Sequence, residues 1–279
     1  MNLRRFVWLG KVLTMSEDYR PSLKRLLADF PPGAVLPTRW LTSHGYADNL
    51  LPKYVAGGWL ASVGYGVYQR PGASLRWTEV VLALQDLLAL PVHVGGRAAL
   101  NERGYSHFLP LGSSAITLYG PRRPPKWTNQ LDLGNNSLEW HTDRLFQFAS
   151  GTDEEDRGLI HFYPEQTRRE LLFASEERAY LEFLDEVPQR VSVNEAELIM
   201  QGLTGLRPQR VSRLLAHCRS FKVKRLFLAL AHRQTHAWLK YLDLSGVDLG
   251  KGKRSLEPGG RLDARFLITL PKNLDADHE

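Results

Sequence analysis

An α+β fold in two parts is what this sequence predicts, a small helix-and-hairpin unit followed by a larger mixed domain. Three observations carry that expectation. Between Tyr19 and Pro71, short amphipathic helix patterns give way to two β-rich runs around a glycine-bearing tip. From Pro91 to Tyr163, apolar β-type runs recur between turns. From Ser175 onward, helical stripes dominate until a last β-type run that stops at Pro271.

In the first unit, Leu23, Leu26, Leu27 and Phe30 recur at i, i+3, i+4 and i+7, the apolar face of a short helix. Pro31-Pro32-Gly33 ends it, because proline has no amide donor and disfavours helical geometry before it. Thr38 is the expected N-cap of a second helix carrying Trp40 and Leu41, closed by Gly45. A third helix is expected from Asn49 to Gly57. With Asn49 as its N-cap, Pro52 falls in the first turn, where a missing donor costs little. Asn49 has a second use open to it, pairing with adenine. Lys53 and Ala56 then point away from the side carrying Leu51 and Val55. Trp59 to Val63 and Val67 to Gln69 flank Gly64-Tyr65-Gly66 as a hairpin. Three short helices and a hairpin follow the order of a winged helix-turn-helix, which lays its third helix in the DNA major groove and its hairpin beside the backbone. Arg20, Lys24, Arg25, Arg39, Lys53 and Arg70 outnumber Asp29 and Asp48 there, an excess that suits phosphate contact. The alternative use of the same unit is protein contact or dimerisation.

Composition narrows the classes. Apolar residues make up 43% of the 279 and charged residues 24%, which excludes a disordered chain. A net charge of +6 favours polyanionic partners. Cys218 is the only cysteine, so an intrachain disulfide and a cysteine zinc site are both excluded, as suits a reducing cytoplasm. Residues 1–14 read as an amino-terminal extension. Arg4 and Arg5 precede Phe6 to Leu9, but Lys11 interrupts the apolar run and no signal peptide is expected. Met15, just before Ser16-Glu17-Asp18, is a candidate start of translation. No stretch has the length of a membrane span.

The boundaries expected are 15–72 for the DNA-binding unit and 73–279 for the mixed domain. In the latter, a helix is expected from Trp77 to Leu90, then a buried strand over Pro91 to Val94 and a helix from Arg97 to Arg103. The Gly95-Gly96 junction between them could receive a phosphate at the helix amino end. It lacks the third glycine and the Lys-Ser/Thr of the nucleotide fingerprints, so a close-packed turn is the plainer expectation. Phe108-Leu109 and Ile116 to Tyr119 continue the β pattern, and Pro121 to Lys126 is a stiff basic connector. Residues Leu131 to Gly158 are expected to be loop-rich, with Asp153 to Asp156 a solvated tip. A strand is expected at Leu159 to Tyr163. Helices follow over Glu176 to Asp185, capped by Ser175, and over Asn194 to Gly202. Val211, Leu214, Leu215 and Cys218 form one further stripe, and Val223, Leu226, Phe227, Leu230 and Ala231 another. Leu262 to Leu270 closes the chain as an alternating β run.

Candidate chemistry is sparse. His232 and His236 have the spacing that puts two imidazoles on one helix face, but no glutamate lies between them and no third ligand is evident. No metal and no cofactor is therefore expected. Glu139-Trp140-His141-Thr142-Asp143 gathers an acid, an imidazole and a hydroxyl, yet no glycine-flanked serine accompanies them. Cys218 reads as core rather than nucleophile. No catalytic set emerges, and the chain is expected not to be an enzyme. Lys222, Lys224 and Arg225, with Lys251, Lys253 and Arg254, form two basic clusters suited to a polyanion or an acidic partner.

Several of these stretches resemble the AbiEi-type antitoxins and transcriptional regulators of type IV toxin–antitoxin systems. The likeness runs through Gly57-Gly58-Trp59-Leu60, Gly64-Tyr65-Gly66-Val67-Tyr68 and His93 to Leu100. It continues in Val223 to Leu228, His236-Ala237-Trp238, Asp248 to Arg254 and Ile268 to Lys272. It implies a bacterial, cytoplasmic protein whose winged helix binds inverted repeats in its own promoter as double-stranded DNA, with a dimer possible on that DNA. It also implies a carboxy-terminal α+β antitoxin domain that counters a nucleotidyltransferase toxin without a stable complex. The positions carried over are Arg39, Lys53, Tyr65 and Arg70; Pro52 departs from a standard recognition helix. Three further readings are a stand-alone regulator, an antitoxin that binds its toxin directly, and a nucleotide-handling enzyme using the carboxy-terminal histidines.

Overall fold

The structure, a computed structural model, describes residues 6–8, 11–13, 21–105, 114–165, 167, 169–257, 259–272 and 274. Met15 as a start and the β run at Phe108-Leu109 lie outside them. Within 1–14, β1 (Phe6–Trp8) and β2 (Lys11–Leu13) pair antiparallel.

The first unit begins with α1 (Leu23–Asp29), capped by Ser22, whose Oγ accepts the Arg25 amide at 3.3 Å. Then come β3 (Val35–Pro37), α2 (Thr38–Ser43), a 3₁₀ turn over Asp48–Leu50, and α3 (Leu51–Ala56). β4 (Ala61–Gly64) and β5 (Val67–Gln69) form the hairpin, and β3 adds antiparallel to β5, giving the order β3-β5-β4. Element order therefore follows the expectation, while two caps do not. Pro37, not Thr38, precedes α2; Thr38 sits in its first turn and donates its own amide to the Gly66 carbonyl at 2.9 Å. Asn49 falls inside the 3₁₀ turn, so α3 follows Leu50 without a side-chain cap, and Pro52 lies in the first turn.

The larger part is built on a five-stranded sheet. α4 (Trp77–Leu82) runs directly into a π-helical turn over Ala83–Leu87. β6 (His93–Val94), α5 (Gly96–Asn101), β7 (Ser114–Gly120) and β8 (Asn136–Thr142) follow. β9 (Leu159–Phe162) and β10 (Leu171–Ala174) complete the order β8-β7-β6-β10-β9. β7 and β8 run parallel, as do β6 and β10; the other two pairs are antiparallel. The seven-residue β8 corrects the expectation of a loop-rich Leu131–Gly158. Its residues pair one for one with β7, from Ser114 opposite Asn136 to Gly120 opposite Thr142. Gln85, on the π-helical turn, donates to the carbonyls of Val92 and Leu172 and accepts the Leu172 amide, so one side-chain amide ties that turn to two stretches of the sheet region.

Four helices pack beyond the sheet: α6 (Glu176–Asp185), α7 (Val193–Gly202), α8 (Pro208–His217) and α9 (Phe221–Arg233). Ser175, Ser192 and Ser220 cap α6, α7 and α9. α6 lies against α5, α8 and α9, and its central residues are buried on all sides. The run Leu262–Leu270 is two strands rather than one. β12 (Arg261–Asp263) and β13 (Ile268–Leu270) pair antiparallel, with β11 (Arg254–Ser255) parallel to β13. The Asp263 carboxylate accepts the amides of Arg265 and Phe266, and Leu267 takes a φ of +52°, so the chain turns back. A contiguous apolar cluster joins Leu26 in α1 to Leu274. Among the described residues, no helix is long and apolar enough to cross a membrane.

Candidate nucleic-acid interface

In the first unit the start of α2 lies beside the hairpin tip. The Thr38 amide to Gly66 carbonyl bond sets the start of α2 beside that tip. Gly66 has a φ of +73°, a left-handed turn that suits glycine at the hairpin end. Tyr65, next to it, is 92% exposed, which is unusual for an aromatic side chain with a core within reach. Arg39, one residue after Thr38, is exposed as well. The Thr38 hydroxyl is buried without a hydrogen-bond partner among the described residues. On α3, Leu51 is buried while Pro52, Lys53 and Ala56 are exposed, so Lys53 stands on the solvent side of that helix. Asn49 is exposed on the preceding turn. Trp59 is half exposed, lying over Gly57, where an added Cβ would meet its ring at 2.8 Å.

Not every base expected at the interface is available. Arg70 donates through Nη1 to the Leu27 carbonyl at 2.7 Å and to the Phe30 carbonyl. Its charge is thus directed at the carbonyls at the end of α1. In the larger part, Arg225 is 1% exposed and donates to the carbonyls of Leu249, Gly252 and Leu267. Lys224 is buried against the Phe221 ring. Lys222 donates to the carbonyls of Asp185 and Val187 at 2.6 Å each, and burial pushes its ammonium below the ordinary value despite Asp185 and Glu186. That first basic cluster is a set of internal ties; sequence shows the charges but not the carbonyls that take them. Lys251, Lys253 and Arg254 are exposed.

The glycine junction after β6 holds an anion of the protein's own. Glu182 of α6 accepts the Gly96 amide at 3.0 Å through Oε2, and its Oε1 meets His93 Nε2 at 2.9 Å and Arg178 Nε at 2.8 Å. A Cβ on Gly95 would sit 2.1 Å from Glu182 Oε2, so the missing side chain is what lets the carboxylate in. Burial alone would raise Glu182, but His93 and Arg178 hold it below its ordinary value. Arg178 also donates to Asp143 at 2.6 Å and to the Arg157 carbonyl at 2.7 Å. The position where a phosphate could have docked is therefore filled.

Other candidates separate in space. α9 ends at Arg233, and Thr235 has a φ of +50°, so His232 and His236 do not share a helix face. His232 stacks on Phe266, whereas His236 meets the Met200 carbonyl at 2.8 Å. Among the described residues, no group of three or more His, Cys, Asp or Glu could hold a metal ion. Within Glu139–Asp143, Asp143 serves the Arg178 cluster, while His141 and Glu139 face Arg190. Cys218 is buried, which pushes its thiol up to about 11.

Two family models match the chain. One described as "Transcriptional regulator, AbiEi antitoxin N-terminal domain" covers residues 19–111. The other, "Transcriptional regulator, AbiEi antitoxin, Type IV TA system", covers residues 113–271. No curated protein matches the sequence. Among solved structures, the fold is similar to the RV2827C protein from Mycobacterium tuberculosis, with a TM-score of 0.61 and 14% identity over 92% of this chain and 93% of that one.

Proposed function

Because the chain belongs to the AbiEi antitoxin family of type IV toxin–antitoxin transcriptional regulators, we propose that residues 15–72 work as a winged helix-turn-helix that binds inverted repeats in the chain's own promoter and represses its operon. The observation that carries this reading is the bond from the Thr38 amide to the Gly66 carbonyl, which groups Arg39 with the exposed Tyr65 at the hairpin tip. In this reading α3 enters the major groove with Lys53 outward, and Asn49 lies at its leading end. Arg39 and Tyr65 brace the neighbouring phosphates. Two copies occupy one inverted repeat, as a dimer or as monomers assembled on DNA. Residues 73–279 supply the antitoxin activity, against a nucleotidyltransferase toxin with which no stable complex forms. Lys251, Lys253 and Arg254 form a second, separate polyanion contact on that domain.

Fluorescence anisotropy on the protein's own upstream DNA, against a scrambled duplex of equal length across a salt series, tests the reading. Preference for the upstream sequence at physiological salt is the expected result. Equal binding that collapses with salt would leave only a basic surface.

A further inference from the structure

β8 lies at one end of the five-stranded sheet, and β7 is its one neighbour among the described strands. Its register fixes which main-chain groups are taken. The Ser114 amide donates to the Asn135 carbonyl, and the Asp143 amide donates to the Gly120 carbonyl. Odd-numbered residues between them therefore turn their N–H and C=O toward β7, and Leu138 and Trp140 turn theirs outward. Those outward groups have no partner among the described residues. That open stretch, flanked by an Asn136 amide that donates to the Leu133 carbonyl and a Thr142 carbonyl that accepts the Arg144 amide, is a template for another strand, and folded proteins ordinarily cover or shorten such an edge.

A groove of about 290 Å³ follows this edge. Its floor takes consecutive residues of the strand, Leu138 and Trp140 from one face with Glu139 and His141 from the other. A groove bounded by both faces of one strand runs along its rim. Thr128 and Asn129, after the basic connector, wall one side, and Arg190 walls the other. The Trp140 indole Nε1, also at the groove, is a buried donor without an acceptor among the described residues.

We infer that this edge accepts an extended, acidic segment of a partner protein as a sixth strand. Main-chain pairing with Leu138 and Trp140 supplies the affinity, and the walls supply the preference for acid. Arg123 lies over the Trp140 ring at 5.9 Å on one face. Arg190, 60% exposed while pairing with Glu139, stands on the other. Carboxylates at two successive positions of an added strand, one on each face, each meet an arginine. Arg122, Arg123 and Lys126 on the connector are exposed, and no carboxylate pairs with them among the described residues. A second copy of this chain fits less well, because a two-fold would bring the same arginines against themselves. A nucleic acid fits less well too, since phosphates would face the Leu138 and Trp140 carbonyls and the Glu139 carboxylate.

The test uses the full chain and a blocked octapeptide of repeated Thr-Thr-Glu-Glu, which presents glutamate on both faces of a strand. Its controls are the threonine–lysine counterpart and a version N-methylated at every second residue. Binding is read by anisotropy and by hydrogen exchange of residues 136–142. Expected are protection confined to that segment, about tenfold weaker binding after N-methylation, and about tenfold weaker binding of the glutamate peptide to an Arg123→Glu variant, with promoter-DNA affinity unchanged within about twofold. Loss of DNA binding alone would strike the regulator reading and leave this one standing. Protection of 136–142 without peptide, rising with protein concentration, would overturn it in favour of self-pairing. Displacement of the peptide by duplex DNA with indifference to N-methylation would reduce the groove to a polyanion site. Absence of binding at millimolar peptide would remove the inference altogether.

Discussion

The Arg70 guanidinium donates to the Leu27 carbonyl at 2.7 Å, tying the end of the hairpin to a helix 43 residues earlier. A base that looked available for phosphate is a clasp between the first and last elements of the unit. Arg70→Ala should lower stability by about 1–3 kcal/mol, because the α1 carbonyls lose their donor. Thermal unfolding measures this. In DNA binding at a temperature where the variant is folded, the salt slope should stay as in the parent; a slope reduced by a full unit would return Arg70 to the interface.

Lys53→Ala and Arg39→Ala should behave in the opposite way. Both side chains are exposed, so melting temperature should hardly move. Each substitution should weaken binding similarly across sequences and reduce the salt slope by about one. If Lys53→Ala left affinity and slope untouched, the placement of α3 in the groove would be wrong.

Removing Glu182 should be severe. Glu182→Ala leaves His93 and Arg178 buried beside one another with the carboxylate gone, a change that costs about 3–5 kcal/mol in comparable buried pairs. Gly95→Ala should cost at least about 2 kcal/mol, since its Cβ would meet both the Glu182 carboxylate and the Tyr119 ring within 2.7 Å. Denaturant midpoints would register both. A Gly95→Ala variant as stable as the parent would mean that the junction relaxes more freely than its packing allows.

Asp86 gives the pH dependence a definite sign. Burial pushes its carboxyl up to about 6 from 3.8, against the pull of Arg169 and His161. The folded chain thus holds this proton more tightly than the unfolded chain. Ionisation costs nothing below pH 3.8 and reaches its full penalty above about pH 6. Asp86→Asn should therefore stabilise the protein by about 1–2 kcal/mol at pH 7.5, allowing for solvent screening, and by nothing near pH 3.5. Equal gains at both pH values would point to packing rather than charge.

Cys218 should be inert in the native state. With the thiol buried and its ionisation pushed up to about 11, reaction with a disulfide reagent at neutral pH should wait for unfolding. Rapid labelling of the native chain would contradict this.

Much of the architecture is written in local pattern. The stripes of α1 and α9, the Ser175 cap of α6 and the glycine tip of the hairpin were legible because spacing and turn chemistry declare themselves within a few residues. β8 was not, because Asn136-Ser137-Leu138-Glu139-Trp140 alternates only weakly and an edge strand needs little apolar surface. His232 and His236 misled, since a positive φ at Thr235 breaks the helix that their spacing implies. Arg70, Lys222 and Arg225 misled for a different reason. Their partners are backbone carbonyls, which every residue has and no sequence pattern marks. Tyr65, carried over by the family resemblance, stands exposed.

The apolar cluster that runs from Leu26 to Leu274 has a thermodynamic consequence. The two regions matched by the family models are expected to melt together, so calorimetry of the whole chain should give a single transition with matching calorimetric and van't Hoff enthalpies. The two matched regions can then be exchanged as modules only at the level of the gene. At the level of the folded chain, a lesion in either is felt by both.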